Sequence, residues 1–258
     1  MFQLIKNEHK KFISQKMTII ALGLIAMYQL VVAIIVSDFT SYQDTPDTFV
    51  DYFATSTHVM FVLQVLAIVV GATLISTEFQ KGTIKFLLIR PKTRLHIFLS
   101  KYVTLVLIVT YSFIVYYALS FLFGFIFFDT QLYSNDSRLL QQTFAVVGCQ
   151  WLEVVMMASF AFMCSSLFRN SVFALVTSFV VLYTAKFWVA FMNIFPIFEG
   201  GLWKYLLFVN TKFTQYSFQG PPLFDGMSPL FSVFIVGAHF VFFVGTAWLS
   251  FWKRDVNV

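Results

Sequence analysis

Three stretches, Met17 to Ser37, Val59 to Thr77 and Tyr102 to Phe128, run about twenty residues or more without one charged side chain. Each is long enough to cross about 30 Å of hydrocarbon as a helix, because a helix rises about 1.5 Å per residue. A water-soluble domain has no use for such runs, since it carries roughly 25% charged residues; here the figure is 11%, with 59% hydrophobic residues and a mean hydropathy of +0.81. Barrel strands would show short alternating segments, and none occur. Three further apolar runs complete a set of six: 143–168, which contains Glu153, 171–195, which contains Lys186, and 229–252, which contains His239. The expected fold is an all-α integral membrane protein with six transmembrane helices in one domain, residues 1–258.

Positive charge sets the expected orientation, because cytoplasmic loops retain Lys and Arg during insertion. Most of the 17 Lys and Arg fall before the first span, between the second and third, at Arg169 and at Lys253 and Arg254. Arg138, Lys204 and Lys212 fall on the other side, and Asp38, Asp44, Asp47 and Asp51 crowd the first outer loop. This predicts N-in/C-in topology and makes the net charge of +5 a topology signal that excludes nucleic acid as the partner. The first apolar run is longer than a signal-peptide core of about 7 to 15 residues, so it reads as a retained helix.

Catalytic signatures are absent. The chain has no GxxxxGK[ST] phosphate loop, HExxH zinc pair, CxxC pair or GxSxG elbow, and its four His are scattered. No catalytic or metal residue is therefore assigned. Cys149 and Cys164 fall fifteen residues apart on one predicted helix, roughly 22 Å, which is too far to bridge.

Between spans two and three lies a dense basic island, EFQKGTIKFLLIRPKTRLHIFLSK, residues 78–101. Gly82 permits a sharp bend, Thr83 can cap a short helix, Ile84, Leu87 and Leu88 share one face, and Pro91 ends that helix. The pattern E-F-x-x-G-T-I-x-x-L-L-x-x-P-x-x-R, from Glu78 and Phe79 through Gly82, Thr83, Ile84, Leu87, Leu88 and Pro91 to Arg94, resembles the permease subunits of type 2 ATP-binding-cassette transporters. The resemblance implies that 78–94 carries a cytoplasmic coupling helix docking into a separate ATPase. It further implies two cytosolic ATPase subunits, a second permease that is a copy or a paralogue, outward transport and a multi-pass place in a bacterial plasma membrane. This chain would bind no cofactor and hydrolyse nothing itself; ATP and Mg2+ belong to the partner ATPase. Amphipathic or antimicrobial peptides or hydrophobic drugs are the expected cargo, because the match is to short permeases without a large outer domain.

Residues 1–16 place Phe2, Ile5, His9 and Phe12 on one face and Lys6, Lys10 and Lys11 elsewhere, the spacing of an amphipathic helix in the headgroup layer among membrane lipids. Glu153 and Lys186 stand at equal distance from the turn Phe168-Arg169-Asn170-Ser171. A helical hairpin brings them to one depth, where they either staple the fourth and fifth spans or line the pathway. Gln29, Gln64 and Asn193 are candidates for lining the pathway or for bonding between helices. His239 reads as a packing residue. Residues 196–228, apolar and aromatic, suit a re-entrant or interfacial segment. Two other functions fit the same composition: an ion-coupled secondary transporter or channel using Glu153, Lys186 or His239, and a toxin-binding sensor or immunity protein.

Overall fold

In the computed structural model, residues 2–13, 16–41, 48–83, 93–131, 136–194, 201–216 and 222–253 are described. Among them the protein is all-helical, and six helical stretches are long and apolar enough to cross a membrane. The elements are α1 (Phe2–Ile13), α2 (Lys16–Ser41), α3 (Phe49–Ser56), α4 (Phe61–Thr73), α5 (Ser76–Gln80), α6 (Arg94–Phe127), α7 (Asp136–Phe168), α8 (Ser171–Ile194), α9 (Leu207–Thr211) and α10 (Pro229–Lys253). Short 3-10 turns at Gly201–Tyr205 and Phe213–Tyr216 flank α9.

α7 is the hub. Its membrane window is 67% buried, against 17% for α2, 17% for α8 and 28% for α10, so the peripheral helices present apolar faces outward while α7 touches protein on most sides. Helices in lipid gain little from hydrophobicity alone and associate where small residues let backbones approach. Gly71 of α4 meets Ala158 and Ala161 of α7 in this way: a Cβ built at Gly71 would lie 2.5 Å from the Ala158 carbonyl oxygen and 3.0 Å from the Ala161 Cβ. Gly71→Ala is therefore expected to destabilise the protein by about 1–3 kcal/mol, the usual cost of overpacking. Denaturant titration of the purified protein in mixed micelles measures it, and an unchanged midpoint would show that these helices are free to separate.

Hydroxyls and aromatic rings complete the packing. The Ser166 hydroxyl of α7 donates to the Ala247 carbonyl at 2.8 Å, and the Ser250 hydroxyl of α10 donates back to the Ser166 carbonyl at 3.0 Å. Phe98 sits among Phe162, Trp248 and Phe251, with ring centroids 5.3–5.9 Å apart, the tilted spacing that aromatic quadrupoles prefer.

The second span differs most from the sequence expectation of 59–77. It extends from Phe49 to Gln80 and is interrupted twice, at 57–60 and at 74–75. Its start is fixed by a capping box: Thr48 accepts from the Asp51 amide, and the Asp51 carboxylate accepts from the Thr48 amide. Asp51 is thus an N-terminal helix residue of α3, and Asp38 lies within α2; Asp44 and Asp47 fall outside the described residues. α6 and α7 likewise begin earlier than expected, at Arg94 and Asp136. With 34 and 33 residues they are about 50 Å long at about 1.5 Å per residue and overreach the hydrocarbon. Polar first turns do not stop a helix that emerges into water.

Interrupting a helix in the membrane frees carbonyls that must find donors. Three side chains supply them at the 57–60 break. Tyr116 donates to the Ser56 carbonyl at 3.1 Å, Gln150 to that of Thr57 at 2.8 Å and Tyr28 to that of Val59 at 2.6 Å. At the 74–75 break, Ser165 of α7 accepts from the Ile75 and Ser76 amides at 3.3 and 2.9 Å.

Candidate functional site

One end of the bundle gathers the described parts of the basic island, 78–83 and 93–101, together with α1 and the α7–α8 turn. Glu78 of α5 is buried and its Oε1 takes two cations, Lys11 Nζ at 2.9 Å and Lys101 Nζ at 2.8 Å. Lys101 reaches Glu8 of α1 as well, at 3.3 Å. The Lys101 side chain is only 1% exposed, so α6 delivers a fully buried ammonium to two carboxylates. Two Lys and two Glu make the node neutral, which is the condition under which charges can be removed from water. Burial works against the Lys11 charge, but the hydrogen bond and attraction of Glu78, with Glu8 adding to them, outweigh it and hold the pKa above the ordinary lysine value of 10.5. The tether is therefore fully present below that value and is lost only as pH rises through the raised one.

The remaining described residues of the basic motif anchor the same end. Phe79 lies beneath the Arg169 guanidinium, 4.3 Å from its carbon, and edge-on to Phe251 at 6.4 Å. Arg169 itself adopts φ 52°, the left-handed conformation that closes the tight turn. Asn170 then caps α8 by accepting from the Val172 amide at 2.9 Å, and Ser171 donates to Gln80 at 2.8 Å. Gly82 has φ +67° and supplies the expected bend. The Thr83 hydroxyl turns back toward the Glu78 carbonyl at 3.4 Å. Arg94 donates to the Trp252 carbonyl at 2.9 Å, and Thr93 caps α6. Ile84, Leu87, Leu88 and Pro91 lie outside the described residues. Both ends of the loop are thus bound to α1, α6, α7, α8 and α10.

A second site lies farther along α7. Lys186 Nζ is 2.5 Å from Glu153 Oε1, so the residues spaced symmetrically about the turn meet across α7 and α8. Both also line a cavity of about 500 Å³ shared with α3, α9 and the 57–60 break. The pair thus joins α7 to α8 and also forms part of the cavity wall. Around it stand Thr57, His58, Gln142, Thr143, Gln150 and Lys212. Gln150 is held in place twice, donating to the Thr57 carbonyl and accepting from Tyr117 at 2.5 Å.

The three amide candidates are placed differently. Gln29 is fully buried, donates to the Tyr116 carbonyl at 3.4 Å and accepts from Tyr52 at 3.1 Å, binding α2, α3 and α6 together. Gln64 is buried in α4. Neither lines the cavity. Asn193 belongs to α8, one residue from its end. His239 Nδ1 lies 2.9 Å from the Ile235 carbonyl, one turn back on its own helix.

Sequence reasoning passed over Glu8 and Lys101, whose partners lie tens of residues away, and counted Lys101 merely among the basic residues of a loop. It also passed over Asn210 of α9. That side chain is fully buried and donates to the Lys204 and Leu206 carbonyls at 2.7 and 2.8 Å while accepting from Ser232 at 2.8 Å. These bonds fold the 201–216 segment against α10 and hold Phe208, Thr211 and Lys212 over the cavity.

Comparison with known proteins places the chain in a family. The sequence model described as "Protein of unknown function (DUF2705)" matches residues 16–257. An "Uncharacterized membrane protein YdbK" of Bacillus subtilis (strain 168) is 44% identical over 248 residues, covering 96% of this chain and 100% of the relative. An "Uncharacterized protein YhcI" of the same organism is 32% identical over 226 residues, covering 83% of this chain and 71% of that one. With six membrane-spanning stretches and a family match along nearly its whole length, the chain belongs to the DUF2705 family and is a multi-pass membrane protein.

Proposed function

We propose that the chain is the membrane subunit of an ATP-driven exporter of the type 2 ATP-binding-cassette kind. It sits N-in/C-in in a bacterial plasma membrane, pairs with a second copy or a paralogous permease, and is driven by two separate cytosolic ATPase subunits that hold the ATP and Mg2+. Its cargo is an amphipathic or antimicrobial peptide or a hydrophobic drug.

The observation that carries this reading is the way both ends of the 81–93 loop are wired into the bundle. A push on the loop reaches α1 and α6 through Glu78, the α7–α8 turn through Phe79 and Arg169, and α10 through Arg94 and Trp252. Rigid ion pairs and packed rings transmit a displacement that a solvated loop would dissipate. A loop that served only to connect two helices would not need a buried carboxylate holding two lysines at its root.

The test is affinity purification from native membrane in mild detergent followed by mass spectrometry, comparing the wild type with the Gly82→Pro, Leu87→Asp double variant. The expected result is a soluble ATPase recovered with the wild type and lost from the variant. No ATPase with either protein would shift the reading to an ion-coupled transporter built on Glu153 and Lys186, or to a toxin-binding sensor.

A further inference from the structure

The cavity beside Glu153 and Lys186 has a charge balance that selects its occupant. Its lining carries one carboxylate and two ammonium groups, Lys186 and Lys212. Glu153 and Lys186 compensate each other at 2.5 Å, whereas Lys212 has no ion-pair partner among the described residues. The hydrogen-bonding groups tell the same story. Thr143 and Thr211 spend their protons on the Leu139 and Phe208 carbonyls, and Gln150 is committed to Thr57 and Tyr117. What remains unspent is Lys212, Gln142 and His58, each able to donate and none a carboxylate. A cationic ligand would find only Glu153, already closely paired. An oxyanion would find an ammonium and two further donors.

We propose that this cavity binds the phosphate group of an anionic amphiphile, with Lys212 as the first contact and Lys186 as the second. The volume of about 500 Å³ lies within the roughly 300–1,000 Å³ of small-molecule sites. Ala54, Leu139, Val146 and Phe208 supply the apolar walls. Phe144 on α7 and Phe187 on α8, which follow the lining residues Thr143 and Lys186 in sequence, are 57% and 67% exposed and supply apolar outer surface on the same two helices. Exposed Lys212 and His58 mark the entrance. The site stands whether or not an ATPase drives the chain.

Cys149 lines the cavity and Cys164 is 2% exposed, so the wild-type protein carries both a reporter thiol and an internal control. The experiment measures the rate of Cys149 alkylation by N-ethylmaleimide, by mass spectrometry, on the full chain in nanodiscs. Discs of phosphatidylcholine are compared with discs containing stepped amounts of phosphatidylglycerol, and with phosphatidylcholine discs given inorganic phosphate. Phosphatidylglycerol is expected to slow Cys149 severalfold and saturably, and Lys212→Gln, at an exposed position that leaves the fold intact, to abolish most of that protection. Protection by phosphatidylglycerol alone identifies a lipid headgroup as the source, and protection by inorganic phosphate as well identifies the free anion. Equal rates in all discs overturn the proposal. So does protection that survives both Lys212→Gln and Lys186→Gln, because a general effect of membrane surface charge needs neither lysine.

Discussion

Replacing Lys101 by methionine is expected to destabilise the protein by about 3 kcal/mol, near the lower end of the roughly 3–5 kcal/mol that follows when one partner of a buried ion pair is removed. Methionine fills much of the same space, so the loss is electrostatic. Glu78, whose side chain is 4% exposed, would keep only Lys11, and Glu8 would lose its cation. Replacing the most buried pair of the node, Lys101→Met with Glu78→Leu, should recover most of that loss, because paired buried charges roughly break even against apolar residues and Glu8 and Lys11 are left with opposite charges. Denaturant titration in mixed micelles measures both. A small effect for the single variant would mean that water reaches the node, and a double variant as unstable as the single would mean that its hydrogen bonds outweigh its charges. Under the exporter reading the double variant has a further consequence. It is expected to fold and still fail to transmit loop motion to α1, leaving an ATPase that binds without being coupled to transport.

This node shows where sequence stops being sufficient. The apolar runs were legible because twenty uncharged residues in succession have one stable solution in lipid. Glu153 and Lys186 were legible as a pair because they sit at equal distance from a tight turn, and helical geometry then fixes their depth. Lys101 was not, since nothing local separates a lysine exposed at a helix end from one buried against Glu8, 93 residues earlier. The interruption at 57–60 was equally hidden: its carbonyls are satisfied by Tyr28, Tyr116 and Gln150 from three other helices, so the break depends on tertiary partners. By contrast, the Thr48–Asp51 capping box is written in the sequence as a T-x-x-D signal before an apolar run, masked there by the acidic cluster of Asp38, Asp44 and Asp47 before it. The cavity draws residues from α3, α7, α8 and α9 and has no linear signature.

The Glu153–Lys186 pair should behave differently from the basal node, because its side chains are 17% and 30% exposed. Lys186→Met is expected to cost about 2 kcal/mol, below the fully buried range because the cavity admits screening. Glu153→Leu alone should cost a similar amount by leaving Lys186 unpaired within the bundle. The double variant separates two roles that the geometry combines. If the pair only joins α7 to α8, Glu153→Leu with Lys186→Met recovers most of the stability and, under the exporter reading, retains transport, since two apolar side chains can pack where the ions met. If Lys186 also receives an anion, the double variant recovers stability and assembly but loses the phosphatidylglycerol protection of Cys149. The second outcome is expected, because the carboxylate and the ammonium are both part of the cavity wall, where Lys186 is within reach of an anion bound there.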